Sequence, residues 1–174
     1  MDENSLTKEI LKKRTQQLAK YEQNVNKDKD EGLELIVFLV GNEAYGLEAR
    51  RLKSIRSVKD CIPLPGVAPF IKGITNIFGV LYTVVDLKKF LGLAHNESSA
   101  NSKLLIVEHE TLKVCFLVDQ IMSFKKIPAD MSDTDITGIK SMETGLIKGI
   151  TKDTLIVLNM DKMLEKITKE SKEF

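Results

Sequence analysis

Short apolar runs separated by turn residues make up most of the chain after residue 32. Residues 35–40 are almost continuously apolar, residues 41–43 offer a turn, and residues 44–47 are apolar again, which is typical of a β-hairpin. The same pattern predicts further strands at residues 71–77, 80–85, 104–108, 113–118, 124–127, 146–150 and 155–158. Many short strands with few long helices between them indicate a mainly β domain.

The N-terminal segment has a different pattern. Leu11, Leu18 and Val25 follow one another at intervals of seven residues within a polar stretch, which predicts an amphipathic helix over residues 5–27. A charged linker ending in Gly32 follows it.

The connections between the strands carry their own signals. Residues 50–55 suggest one short helical turn, and Pro63 and Pro65 prevent regular pairing inside a sheet. Residues 95–102 are polar with short side chains, so they should form an exposed loop.

A repeat divides the domain into two halves. The string IKGIT occurs at residues 71–75 and again at residues 147–151. Each copy is followed by an apolar strand and a short helix, for which the predicted N-caps are Asp86 and Asn159. The second copy is shorter, which suggests a tighter turn between its strands. We therefore expect two similar halves of about five strands each, divided near residues 92–103.

These signals predict a definite organisation. Residues 1–30 hold the N-terminal helix and linker, residues 31–166 form one domain, and residues 167–174 are a C-terminal tail. Within the domain we expect two small five-stranded β-barrels that share a hydrophobic core, with short connecting helices and a C-terminal helix. A groove between such halves presents strand edges and apolar side chains suited to binding another polypeptide.

Charge and composition narrow the class of protein. The chain has 26 basic and 25 acidic side chains, so little net field exists to attract nucleic acid or anionic lipid. The start Met1-Asp2-Glu3 lacks the basic and apolar regions of a signal peptide, and no apolar stretch approaches the roughly 20 residues of a membrane span. These features favour a cytoplasmic protein.

Few residues suggest catalysis or metal binding. Cys61 and Cys115 have no CxxC spacing, so both are interpreted as ordinary thiols, Cys115 in the core. His95 and His109 lie in or beside turns without the spacing of metal ligands. Nucleophile-elbow and phosphate-loop motifs are absent from the sequence.

Three clusters of charged residues are candidates for binding. Residues 130–135 alternate acidic and short polar side chains, but Ser141 stands where a calcium-binding loop needs its closing Glu. The basic clusters at residues 12–14 and 50–51 lack interleaved aromatic residues, which opposes a nucleic-acid stacking surface. Arg50 and Arg51 could instead meet acidic residues of a protein partner. No metal, cofactor or catalytic residue is predicted.

Several segments, in order, resemble the CheW family. They are GNEAYGLE at residues 41–48, PFIKGITNIFGV at residues 69–80, VVDL at residues 84–87 and FLVDQI at residues 116–121. The resemblance extends from about Leu33 to Leu164.

The resemblance implies two intertwined five-stranded barrels and a non-catalytic chemotaxis adaptor recruited to receptor arrays. The implied partners are the regulatory domain of a CheA-type histidine kinase and the cytoplasmic tip of a methyl-accepting chemoreceptor, with no nucleic acid and no direct membrane insertion. The partner-binding positions carried over from the family are Leu52, Ser54, Ile55, Gly73, Asn76, Phe78, Gly79 and Val118.

Two of these positions depart from the family pattern. Ser54 and Phe78 stand where the family usually has a Glu and an Arg. Either Phe78 tunes the choice of partner, or it enlarges the core.

Alternative functions stay open at this point. The chain could be a divergent scaffold for another two-component or surface-motility pathway, a small barrel that binds nucleic acid, or a small enzyme built around Asp86, Asp119 and His109.

Overall fold

The computed structural model describes residues 32–93, 101–128 and 144–171. The predicted N-terminal helix at residues 5–27 and the acidic segment at residues 130–135 lie outside these residues, as does most of the predicted loop at 95–102.

The described residues contain strands, two α-helices and two short 3-10 helices. In chain order the elements are β1 (Gly32–Val40), β2 (Glu43–Glu48), a 3-10 helix (Ala49–Arg51), β3 (Ser54–Ser57), β4 (Ile71–Ile77), β5 (Val80–Asp86), α1 (Leu87–Phe90), β6 (Lys103–His109), β7 (Leu112–Val118), β8 (Gln120–Pro128), a 3-10 helix (Thr144–Leu146), β9 (Ile147–Ile150), β10 (Ile156–Leu158) and α2 (Met160–Glu170).

The strands form two five-stranded sheets with the same arrangement. The first sheet has the order β8-β1-β2-β10-β9, and the second has the order β3-β6-β7-β5-β4. Each contains one parallel pair, β2 with β10 and β5 with β7. Each sheet takes strands from both halves of the sequence, so the halves are interleaved. The prediction of two five-stranded units is confirmed, and the units are mixed sheets. The barrels are not seen, because in the part of the chain described here no regular ladder closes either sheet.

The inner strands β1, β6 and β7 bury apolar residues on both faces, which explains why their sequences are nearly continuous hydrophobic runs. On β1, Ile36 and Phe38 lie in a central cluster, whereas Leu35 and Val37 lie in a smaller cluster that belongs to the first sheet. Residues on β6 and β7 alternate in the same way between the central cluster and a small cluster of the second sheet. The central cluster includes residues of both sheets and of α2. The predicted shared core is confirmed.

The IKGIT repeat corresponds to equivalent strands. Its copies begin β4 and β9, and the helix after each second strand starts at a capping side chain. The Asp86 carboxylate accepts a hydrogen bond from the Lys89 amide at 3.3 Å, and the Asn159 side chain accepts one from the Lys162 amide at 3.2 Å.

The shorter second copy does not contain a tighter turn, so that expectation is wrong. Phe78 and Gly79 alone connect β4 to β5, whereas residues 151–155 connect β9 to β10. The second copy is shorter because its strands are shorter.

Other boundaries also differ from the predictions. The helical turn expected at residues 50–55 is a 3-10 helix, Ala49–Arg51, followed by strand β3, which pairs with β6. Strand β8 is longer than the predicted residues 124–127. Helix α2 continues past the expected boundary at 166 to Glu170, because Ile167 is buried in the central core.

A largely buried ion pair joins helix α1 to two of the connections between strands. Lys88 Nζ in α1 lies 2.9 Å from Asp119 Oδ1, in the link between β7 and β8. The backbone amide of Gly41, in the β1–β2 turn, donates to Asp119 Oδ2 at 2.7 Å. Asp119 therefore connects both halves of the sequence.

Among the residues described, there is no helix with the length and apolar character needed to cross a bilayer.

Candidate protein-docking surface

The turn between β4 and β5 displays a large aromatic side chain. Phe78 has φ of 51° and Gly79 has φ of 82°, which is the pair of positive φ angles that a type I′ two-residue hairpin turn requires. Asn76 Oδ1 accepts a hydrogen bond from the Gly79 amide at 2.8 Å and braces the turn. A non-glycine residue in this conformation costs about 1 kcal/mol, and Phe78 adopts it while 85% exposed.

A guanidinium covers the Phe78 ring. Arg56, on β3, places its Cζ 4.9 Å from the ring centroid, within the range of a cation-π contact. Strands β3 and β4 are the two edges of the second sheet. Between them lies a groove of about 340 Å³, here called the hairpin groove, lined by Arg56, Ser57, Lys59, Thr75, Asn76, Ile77, Phe78 and Leu104.

Further apolar side chains are exposed on the segments that flank the hairpin groove. Leu81 on β5 is 58% exposed, and Ile62 in the segment before β4 is 62% exposed. Ile62 and Ile74 exchange backbone hydrogen bonds of 2.8 Å each, which fixes this segment alongside β4.

Gly73 allows that close approach. Its φ is 151°, and a Cβ atom at this position would lie 2.1 Å from the carbonyl oxygen of Ile62. Any side chain here would displace the segment.

The structure divides the predicted partner-binding residues into three groups. Asn76, Phe78 and Gly79 come together at the hairpin tip. Leu52 and Ile55 are partly buried against the central core, and Ser54 begins β3 opposite Ile106. Gly73 and Val118 are buried.

The structure corrects one interpretation of the sequence, that of Val118, and excludes one of the two alternatives for Phe78. Val118 is only 1% exposed, because its face of β7 points into the central core, so it supports the core and offers no contact surface. Phe78 projects into solvent and does not enlarge the core.

Sequence reasoning missed several surface residues. Arg56 was not singled out, since nothing in its neighbourhood along the chain indicates that it meets Phe78. Ile62 could have been noticed as an apolar residue within a proline-containing segment. Met122 and Phe124 form a second exposed apolar pair on β8, at 53% and 60%.

The basic pair in the first 3-10 helix already has partners within the chain. Arg50 Nε lies 2.8 Å from Glu48 Oε2, and Arg51 forms an ion pair with Asp161. Lys148 Nζ contacts the other Glu48 oxygen at 2.5 Å. Burial alone would raise the pKa of Glu48, but the hydrogen bonds from Lys148 and Arg50 outweigh it and lower that pKa.

The three residues considered for catalysis lie at the ends of strands or helices. Asp86 caps α1, Asp119 pairs with Lys88, and His109 ends β6. No group of three or more metal-ligating side chains occurs among the residues that could be searched, which exclude the gaps noted above. Burial raises the pKa of the Cys115 thiol to about 12 and also raises that of Cys61, so neither is an activated nucleophile.

The family of the chain follows from comparison of its sequence with known families. The model of the CheW-like domain matches residues 34–168. The chain belongs to the CheW-like domain family. Scaffolding proteins of this family are non-catalytic, and the chain is accordingly a CheW-like adaptor.

Two relatives match most of the chain, and a third matches half of it. It is 27% identical to chemotaxis protein CheW of Bacillus subtilis over 142 residues, covering 82% of this chain and 91% of that protein. It is 26% identical to chemotaxis protein CheW of Thermotoga maritima over 138 residues, covering 78% of this chain and 89% of that protein. Protein PilI of Pseudomonas aeruginosa is 28% identical over 87 residues, 50% of this chain and 49% of that protein.

A solved structure has the same fold. The scaffolding protein TtCheW from Thermoanaerobacter tengcongensis matches with a TM-score of 0.67 at 24% identity, covering 74% of this chain and 85% of that chain.

Proposed function

We propose that this chain is a cytoplasmic adaptor that couples the cytoplasmic tip of a chemoreceptor to the regulatory domain of a CheA-type histidine kinase. The observation that carries the proposal is the hairpin tip, where a strained turn holds Phe78 in solvent next to Arg56. Aromatic and arginine side chains dominate the binding energy of protein interfaces. The names of the relatives support chemotaxis as the pathway.

We also propose that each sheet curls into the barrel expected of the family. The Ile62–Ile74 bridge adds the segment after β3 to the edge of β4, and each sheet encloses an apolar cluster of its own. Curled sheets would leave the hairpin tips at the rims, where partners dock.

The test is binding to purified fragments of the kinase regulatory domain and the receptor tip from the same genome, measured by calorimetry. The native chain should bind both fragments. Phe78→Arg should weaken binding to at least one of them by about tenfold, which corresponds to 1.4 kcal/mol. Glu110→Arg is the matched control, since Glu110 is also an exposed turn residue with positive φ, at 52°.

Unchanged affinity of Phe78→Arg for both fragments would remove Phe78 from the docking surface. A native chain that binds neither fragment would contradict the coupling function itself. Kinase paralogues assayed in parallel would reveal a scaffold that serves a different two-component pathway.

A further inference from the structure

The duplicated fold provides an internal comparison for the hairpin groove. In the first sheet, Lys125 on β8 forms an ion pair with Asp153 in the β9–β10 connection. In the second sheet, Arg56 on β3 contacts Phe78 in the β4–β5 turn. In both sheets a cation on an edge strand reaches the connection of the opposite hairpin. In the first sheet a carboxylate of the chain neutralises that cation, and in the second its partner is an uncharged ring.

The hairpin groove therefore carries positive charge that the described residues do not neutralise. Arg56 and Lys59 both line it, and in residues 32–93, 101–128 and 144–171 neither forms an ion pair with a carboxylate. Lys103 Nζ donates to Ser57 Oγ at 3.0 Å and brings a third cation to the same wall. Ile77 and Leu104 give the groove apolar surface between these charges.

Stacking on Phe78 prepares Arg56 for a carboxylate. A guanidinium that lies over a ring can still donate hydrogen bonds from the N–H groups at the edge of the guanidinium. Two of these N–H groups can bind the two oxygens of a carboxylate at once. The ring also restricts the side chain, so less conformational entropy is lost when a ligand binds.

We propose that the hairpin groove binds an acidic side chain of the partner polypeptide, with Arg56 as the carboxylate-binding residue and an adjacent apolar partner residue packed on Phe78. The proposal rests on the adaptor function, and it defines the chemistry of the partner segment that docks in the hairpin groove. It makes Arg56 a determinant of partner choice.

The experiment uses the same receptor and kinase fragments and three variants. Arg56→Glu should weaken binding to the fragment that contacts the groove by about tenfold or more. Arg56→Lys, which keeps the charge and loses the fork, should be intermediate. Lys152→Glu makes the same kind of charge change in the exposed β9–β10 connection and should leave affinity unchanged.

Salt provides a second readout. Raising ionic strength from about 50 mM to about 500 mM should weaken binding of the native chain more than binding of Arg56→Glu. Salt screens the attraction between Arg56 and the partner carboxylate, and the variant lacks that attraction. A partner variant in which one groove-facing Glu or Asp is replaced by Arg should recover affinity for Arg56→Glu. Matching thermal unfolding curves would verify that the variants are folded.

The outcomes separate the two proposals. If the native chain binds its fragment and Arg56→Glu binds equally tightly with the same salt dependence, the groove chemistry is refuted and the adaptor function stands. If the native chain binds neither fragment, both fail. If native protein instead binds mixed oligonucleotides and Arg56→Glu abolishes that binding, the groove recognises nucleic acid and the protein-carboxylate proposal is overturned.

Discussion

Gly73 controls the approach of the Ile62 segment to β4. The close contact with the Ile62 carbonyl and the positive φ of 151° both exclude a Cβ atom. The hydrogen bonds between Ile62 and Ile74 hold one flank of the hairpin groove, so they depend on the missing side chain.

Gly73→Ala should lower the free energy of unfolding by about 2 to 4 kcal/mol, because the segment must move and the backbone is strained. Urea denaturation followed by circular dichroism measures the change. Gly145→Ala is the control, since a Cβ there meets no atom within 4 Å and no positive φ is involved. Equal stability of the two variants would show that the segment adapts freely.

The cysteines should differ in reactivity. Burial raises the pKa of Cys115 from 9.0 to about 12, whereas Cys61 is partly exposed. At pH 8 a thiol-alkylating reagent should modify Cys61 in the native protein and reach Cys115 only after denaturation, as judged by mass spectrometry of peptides. Similar rates at both sites in native protein would contradict the burial of Cys115.

The same pKa shift gives a pH dependence of stability. Above pH 9 the unfolded chain loses the Cys115 proton while the folded chain keeps it until about pH 12. The contribution of Cys115 to stability is therefore complete below pH 9 and falls as the pH rises toward 12. A Cys115→Ala variant should show a smaller loss of stability over this interval.

At the scale of elements, the contact between Lys88 and Asp119 fastens α1 to two strand connections. The Lys88 and Asp119 side chains are 9% and 19% exposed, so loss of one charge leaves the other poorly solvated. The hydrogen bond from the Gly41 amide adds the β1–β2 turn to this junction.

Lys88→Met should therefore lower the free energy of unfolding by about 2 to 4 kcal/mol. The double variant Lys88→Met with Asp119→Asn should recover a large part of that loss, because no charge then remains unpaired. Lys89→Met, at the exposed neighbouring position of α1, is the control for loss of a lysine. An equally unstable double variant would indicate that Asp119 acts mainly through its other contacts.

Most elements could be predicted because apolar runs and turn residues mark them directly. The hairpin of β1 and β2, the repeat strands and both capping residues are all visible in the sequence. Strand β3 was not predicted, and its first two residues fell within the helical turn expected at residues 50–55. The strand is short and polar, and its conformation depends on pairing with β6, which is remote along the chain. Strand β8 was predicted too short, because the polar Gln120 and Ser123 interrupt its apolar residues, and pairing with β1, which is remote along the chain, extends the strand over them.

At the scale of the whole molecule, the candidate site could be predicted only in part. The turn residues Asn76, Phe78 and Gly79 lie together because they are close in sequence. The contact with Arg56 depends on how the two edges of the second sheet approach each other, which local patterns do not contain. Val118 was assigned to the partner-binding set by resemblance to the family alone, whereas its side chain packs in the central core.

The interleaved sheets predict that neither half folds alone. A fragment of residues 1–93 lacks β8, β9 and β10 of the first sheet, and a fragment of residues 101–174 lacks β1 and β2. Each fragment should lack a cooperative thermal transition by circular dichroism, and an equimolar mixture should regain one. A cooperative transition in either isolated fragment would contradict the interleaved arrangement.

The place of β10 beside β2 also constrains the order of events during biosynthesis. The N-terminal hairpin emerges from the ribosome while its parallel neighbour, Ile156–Leu158, is still untranslated. At roughly 5 to 20 residues per second, β2 must wait about 5 to 20 s for that neighbour. During this interval its open edge is exposed to chaperones and to other nascent chains, so slow translation of the second half should favour aggregation of the newborn protein.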